Sequence, residues 1–178
     1  MHMTTFRKSQ RGAAMMEVLI AMLIVAFGTL GFVGLQAQTT VRNIEGYQRS
    51  QALILLNDMA QRITLNRANA SSYVATNIGT VNPGDCTTKT TVSDKDLCEW
   101  ALLIQGSSET MGTAKLGAIT GARGCITSPS ANQYIISLAW QGVQATGPSP
   151  SLCGQNSYSA ENMRRAVTTV VRIATLSS

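Results

Sequence analysis

Between Glu17 and Arg42 the chain carries no charged residue. It reads Val18-Leu19-Ile20-Ala21-Met22-Leu23-Ile24-Val25-Ala26-Phe27-Gly28-Thr29-Leu30-Gly31-Phe32-Val33-Gly34-Leu35 before turning polar at Gln36. An α-helix needs about 20 apolar residues to cross the roughly 30 Å hydrocarbon core of a bilayer, so this run is long enough to span one. A short basic leader with Arg7, Lys8 and Arg11 precedes it. Positive flanks stay on the cytoplasmic side, which places the remainder of the chain outside. The residue that an ordinary anchor leaves unexplained is Glu17, at the head of the apolar run. A carboxylate inside a membrane costs about 2.5–3.5 kcal/mol at mid-bilayer and less near the interface, and it marks a functional candidate.

Two plain readings account for less than this. A cleaved secretory signal has an apolar region of about 7–15 residues and a small-residue cleavage site, whereas this run is longer and no such site follows. A plain signal anchor explains span and orientation but not Glu17. A third pattern fits all the parts: a basic leader, Gly12, the small tract Ala13-Ala14-Met15-Met16, then Glu17 at the fifth position after the glycine and the apolar helix. It resembles the type IV prepilin signal of the pilin and pseudopilin superfamily. Further likeness, in Met15-Met16-Glu17-Val18-Leu19-Ile20-Ala21 and Leu30-Gly31-Phe32-Val33-Gly34-Leu35-Gln36, is to minor pilins of the PilV type, the type IV pilus modification proteins.

The resemblance implies that a membrane-embedded prepilin peptidase cuts after Gly12, leaves Ala13 as the new first residue, and N-methylates its amine. Most members of the family carry Phe where this chain has Ala13, a departure that bears on methylation more than on cleavage. It also implies that Glu17 serves assembly. The implied partners are other minor pilins, the major pilin and an inner-membrane assembly platform. The implied location is the inner membrane as a single-pass protein with a periplasmic C-terminal domain, and then the pilus at the cell surface.

Charge and cysteines narrow the rest. The formal charge is +5, but removing Arg7, Lys8 and Arg11 leaves 11 basic against 9 acidic residues, a net of +2. The basic balance is therefore mostly a targeting signal and weak support for a nucleic-acid partner. Cys86, Cys98, Cys125 and Cys153 all follow the apolar run and so face an oxidising compartment. Four cysteines allow three pairings. Cys86–Cys98 and Cys125–Cys153 are favoured because each pair flanks a local loop. A metal site is disfavoured, since there is no C-x-x-C and the one histidine, His2, lies in the leader.

Read in order, the chain divides into a leader over 1–12, a membrane or filament-core half of a long helix over 13–41, an amphipathic half over 42–70, and a globular head over 71–178. The spacing predicts one helix from about Ala14 to about Ala70. Gly28, Gly31 and Gly34 sit three apart on one stripe, which suits close helix–helix contact or a stretch that loosens on assembly. Beyond it Val41, Ile44, Ala52, Leu55, Leu56, Met59 and Ile63 recur at helical spacing and should pack on a sheet. Glu45 with Arg49, and Asp58 with Arg62, are spaced as i,i+4 pairs on a solvated face.

From Ser71 to Asp94 an irregular loop is expected. A short helix follows from about Lys95 to Gln105, capped by Ser93 or Asp94, with Leu97, Trp100, Ala101 and Ile104 inward. Strands are expected within 114–127, over Tyr134–Trp140, and over Arg165–Leu176. The fold class is thus α+β and pilin-like, a long N-terminal helix packed on a small antiparallel sheet of three strands.

No nucleophile motif, phosphate loop or metal motif is present, so no enzyme and no cofactor are predicted. Arg164-Arg165 could meet DNA, but the start of a solvated strand explains them as well. The expected function is that of a minor pilin that helps prime pilus assembly and ends near the tip. The rivals are a minor pseudopilin of a type II secretion system, which shares fold and signal, and a pilus-borne module for adhesion or DNA binding.

Overall fold

The computed structural model describes residues 11–107, 110–111, 114–115 and 117–174. Residues 1–10 of the leader, with Arg7 and Lys8, then Leu116, and Leu176 at the expected end of the last strand, lie outside the described residues. By their internal contacts the described residues form two units, divided between Asn43 and Ile44.

Helix α1 (Arg11–Leu65) belongs to both units. In the first unit every side chain from Ala14 to Thr40 is exposed, the apolar ones included. The three hydroxyls there are satisfied inside the helix: Thr29 donates to the Ala26 carbonyl at 2.9 Å, and Thr39 and Thr40 to that of Gln36 at 2.8 and 3.0 Å. A helix that returns its own polar protons to its own carbonyls fits a medium without water. It is the one helix among the described residues long and apolar enough to cross a membrane.

In the second unit α1 buries Ala52, Leu56, Met59 and Ile63, an i, i+4, i+7 stripe. The helix ends at Leu65, five residues before the predicted end at Ala70. A 3₁₀ segment over Arg67–Tyr73, kinked at Asn69, replaces the last turn. It carries Ala70 and Tyr73 into the core.

The loop expected over 71–94 is only partly a loop. Strand β1 (Ala75–Ile78) lies within it, so the main sheet has four strands where three were expected. Helix α2 (Val92–Ile104) starts earlier than Lys95, and its N-cap is Thr91, not Ser93 or Asp94. Thr91 Oγ1 accepts from the Asp94 amide and donates to the Asp94 carboxylate at 2.8 Å, a reciprocal closure of the first turn.

The short β2 (Thr110–Met111) and β3 (Ala114–Lys115) form a separate two-stranded antiparallel sheet. Strands β4 (Arg123–Ser130), β5 (Gln133–Gln141) and β6 (Arg164–Arg172) are antiparallel neighbours in the order β1-β4-β5-β6. The β5–β6 register runs unbroken from Gln133↔Arg172 to Gln141↔Arg164. Ile126, Ile136, Leu138 and Val167 share one core cluster with Leu56, Met59, Ile63, Trp100 and Ile104, so α1 and α2 pack on the same sheet. Residues of opposite parity, Cys125, Ala139 and Ala166, form a second small cluster with Cys153 and Tyr158 on the other face.

Candidate assembly site

Gly12 and Ala13 lie in the first turn of α1, and Glu17 follows Ala13 by one helical turn. Glu17 is exposed and has no ion pair or hydrogen bond among the described residues. The helix neighbours on its face, Ala13, Ala14, Ile20 and Ala21, are uncharged. The three helix glycines likewise find no contact within one chain: a Cβ added at Gly28, Gly31 or Gly34 would meet nothing within 4 Å. This surface thus offers a lone carboxylate and a small-residue stripe without partners among the described residues.

In the second unit, charged residues that local spacing assigns to a solvated face are held by distant partners. Asp58 and Arg62 do form their i,i+4 pair at 2.9 Å. Arg62 Nη1 also reaches Asp96 at 2.9 Å and Glu99 at 2.7 Å on α2. Burial opposes its charge, but hydrogen bonds to Glu99 and Asp96, with Asp58, hold its pKa above the ordinary arginine value. The Tyr73 hydroxyl donates to the other oxygen of Asp96 and accepts from Asn66 Nδ2 at 3.1 Å. Burial, reinforced by that donation, pushes the phenol up to about 12. Trp100 Nε1 adds a bond to the Leu55 carbonyl at 2.9 Å. Together these polar contacts join α1, the 3₁₀ segment and α2.

Glu45 pairs not with Arg49 but with Arg165, 120 residues away, at 3.0 Å. The same Oε1 accepts from the amides of Val143 and Gln144, each at 3.2 Å. Burial alone would raise the Glu45 pKa, but the Gln144 amide, Arg165 and the Val143 amide more than offset it and hold the carboxyl below its usual value.

Arg164 and Arg165 are not a solvated strand start either. The Arg164 side chain is 2% exposed and donates to Glu161 from Nε at 2.7 Å. Nη2 donates to the Ser149 carbonyl at 3.1 Å, and Nη1 to those of Cys153 at 3.0 Å and Ser151. One guanidinium thus gathers three carbonyls of the loop before it.

Cys125 is joined to Cys153, and Cys86 to Cys98. The first bridge fastens that same loop to β4; the second fastens a short 3₁₀ turn at Cys86–Thr88 to α2. Among the described residues, no three His, Cys, Asp or Glu side chains converge in a way that could hold a metal ion. The polar clusters described above are cross-links between elements, and each carboxylate in them already has a cation or an amide.

Sequence reasoning missed Arg62, Tyr73 and Asp96 as one network, Arg164 as a clamp, and Arg165 as the partner of Glu45. One local signal was available for the Thr91 cap, the Thr-x-x-Asp spacing. The others depend on residues far apart in the chain.

Residues 34–103 match a family model described as Tt1218-like, type IV pilin Tt1218. The matched stretch takes in the end of the first-unit part of α1, all of its second-unit part, the Cys86–Cys98 bridge and nearly all of α2. No curated protein and no solved structure matches the chain. The family match supports a type IV pilin, and the long helix with a small four-stranded antiparallel sheet is a pilin-like α+β fold. Type IV pilins as a family are structural proteins that assemble with other pilins.

Proposed function

We propose that this chain is a minor pilin of the PilV type. It is made with a leader over 1–12, cut after Gly12 by a prepilin peptidase and N-methylated on Ala13. It waits in the inner membrane with its second unit in the periplasm, then joins other minor pilins in a complex that primes assembly and remains near the pilus tip. The observation that carries this reading is Glu17, an exposed carboxylate with no partner among the described residues, at the head of an exposed apolar helix. The family match over 34–103 supports the coarser part of this reading, a type IV pilin, from residues beyond Gly12 and Glu17.

The physical role of Glu17 follows from its surroundings. Once Gly12 is removed, the Ala13 amine is a positive charge beside an apolar surface. In an assembled filament the Glu17 of one subunit faces the Ala13 amine of another. Opposite charges about 4 Å apart attract by roughly 4 kcal/mol at an effective dielectric of 20, against about 1 kcal/mol in water. The pair offsets much of the desolvation that each charge bears, and it fixes an axial register that apolar packing leaves open.

The test is Glu17→Ala. Insertion into the membrane should survive, and the amount in sheared pili relative to the membrane fraction should fall. Processing is checked in parallel by N-terminal sequencing, with Gly12→Val as the uncut reference. Equal incorporation of processed mutant and wild type would remove Glu17 from assembly. Deleting the gene separates the wider alternatives: loss of surface pili supports the minor pilin, and loss of exoprotein secretion with pili intact supports a pseudopilin.

A further inference from the structure

The two outer strands of the main sheet, β1 and β6, are finished differently. Strand β1 is short, shifts register against β4 and holds Asn77 at a positive φ, features that blunt an edge against further pairing. Strand β6 has none of them. It runs nine residues in unbroken register with β5. It contains no glycine or proline, and its charges stand only at the ends, at Arg164, Arg165 and Arg172.

The direction of its free backbone follows from the ladder. The Ile173 amide donates to the Asn132 carbonyl at 2.9 Å, and the Gly142 amide to the Met163 carbonyl at 2.8 Å. The odd-numbered residues of β6 therefore bond to β5, and the even-numbered ones turn their N–H and C=O outward. On that side Ala166, Thr168, Val170 and Arg172 meet no backbone partner among the described residues. Thr168, Val170 and Arg172 are exposed.

A cavity of about 430 Å³ lies against the same strand, on the sheet face opposite α1 and α2. Its lining includes Ile135, Leu152, Ala166 and Thr168, and no lining residue carries a charge. The volume falls within the roughly 300–1,000 Å³ that organic ligands fill, so it has room for an apolar side chain. In strand addition, main-chain bonds along an edge supply affinity and pockets for alternate side chains supply selectivity. Strand β6 has both. At its far end Arg172 has no ion pair or hydrogen bond among the described residues, so a carboxylate opposite it would find an unused cation.

We infer that β6 is a docking edge that takes an extended segment of another protein as a fifth strand. The segment runs antiparallel to β6, the slightly more stable pairing. It carries an acidic residue opposite Arg172 and an apolar side chain opposite Ala166, which leans into the cavity. The site lies wholly within the second unit, and it holds whether or not Glu17 acts in assembly.

The probe is an N-acetylated peptide of alternating threonine and valine, nine residues long to match β6. Its first residue is glutamate and its seventh leucine, which the antiparallel register sets opposite Arg172 and Ala166. It is added to full-length, isotope-labelled protein in an uncharged detergent, and backbone amide exchange is followed by NMR. Without peptide, the amides of Ala166, Thr168, Val170 and Arg172 should exchange faster than those of Val167, Thr169 and Val171. Bound peptide should slow the first set by about tenfold, as one hydrogen bond of ordinary strength implies. Val170→Lys sets a charge on the edge, and Thr168→Pro removes one outward N–H without touching the β5 ladder. Each should weaken binding by about tenfold. Unchanged protection of Val167 and Val171 shows that the variants are folded. Lysine in place of the peptide's leucine should weaken it by about tenfold as well. No slowing of the four amides at about 1 mM peptide overturns the inference, as does equal binding by wild type and both variants. Slowing that rises with protein concentration and needs no peptide would give the edge to a second copy of this chain, and would overturn the choice of partner.

Discussion

Arg164 shows how much one side chain does in this head. It is almost fully buried, yet each of its hydrogen-bonding nitrogens meets an oxygen, one carboxylate and three carbonyls. Removing one partner of a buried ion pair costs about 3–5 kcal/mol, mostly because the groups left behind lose their partners without regaining water. Glu161 is partly exposed and can rehydrate, so Arg164→Ala should fall at the lower end, about 3 kcal/mol. Lysine keeps the charge but not the planar fork, so Arg164→Lys should recover less than half of the loss. Urea unfolding of both variants checks this. A midpoint unchanged in Arg164→Ala would mean that the disulfide to Cys125 holds the loop alone.

Tyr73 gives a pH signature at the same scale. Its pKa is raised from the ordinary 10.0 to about 12 in the folded chain. A group whose folded pKa is raised contributes stability that is complete below its unfolded value and is lost as pH rises through the folded one. Wild type should therefore lose stability between about pH 10 and pH 12 by a term that Tyr73→Phe lacks. The thermal midpoints of the two proteins should converge across that window, and parallel curves would disprove the coupling.

At the scale of elements, the join between α2 and the sheet is set by a missing side chain. A Cβ on Gly124 of β4 would lie 2.2 Å from Cζ3 and 2.4 Å from Cη2 of Trp100. The indole cannot withdraw easily, because its Nε1 is tied to the Leu55 carbonyl. Gly124→Ala should therefore lower stability by about 1–3 kcal/mol through overpacking, despite improving strand propensity. The drop should appear in the thermal midpoint, and Trp100→Phe in the same background should restore part of it. A stable Gly124→Ala with no change in α2 protection would show that the helix can shift.

Elements were legible in sequence where their period was long. Residues 52–63 of α1 repeat at helical spacing over several turns, and β5 carries Tyr134, Ile136, Leu138 and Trp140 at a period of two, so both were read near their observed positions. Strand β1 was not, because it has four residues, contains a register irregularity against β4 between Ala75 and Ile78, and holds Asn77 at a positive φ of 57°. Its burial does not alternate, so a period of two had nothing to register on. The ion pairs failed for a different reason. Local spacing offers Glu45 the nearby Arg49, but the folded chain brings Arg165 and two loop amides to the same oxygen, and three short contacts outweigh one exposed i,i+4 pair. The Gly12–Ala13–Glu17 pattern is a linear motif, so it is proposed from the sequence alone and no tertiary contact among the described residues bears on it.

For the molecule as a whole, the division between Asn43 and Ile44 separates two kinds of stability. Every residue of the main core cluster lies at Ala52 or beyond, and both disulfides are in the second unit. The polar hold on α1 begins at Glu45, continues at Gln48, whose Nε2 reaches Thr120 Oγ1 at 3.5 Å, and ends in the Arg62 network. Nothing in that set uses the apolar run. A chain starting at Arg42 should therefore fold alone, remain soluble without detergent, and melt in one cooperative transition with a midpoint within a few degrees of the full chain's. A chain starting at Gln51 removes Glu45 and Gln48 while keeping every core residue. It leaves Arg165 without its carboxylate and frees the amides of Val143 and Gln144, so it should still fold but lose about 1–3 kcal/mol and show faster amide exchange over 142–146. Acid should reproduce that difference in the longer chain. The Glu45 pKa is lowered by folding, so its contribution is full above the ordinary value of 4.5 and is lost as pH falls through the folded value. Amide exchange over 142–146 in the Arg42 chain should then rise toward that of the Gln51 chain on acidification. If the two chains exchange alike at neutral pH, Glu45 is not what ties this loop to the helix.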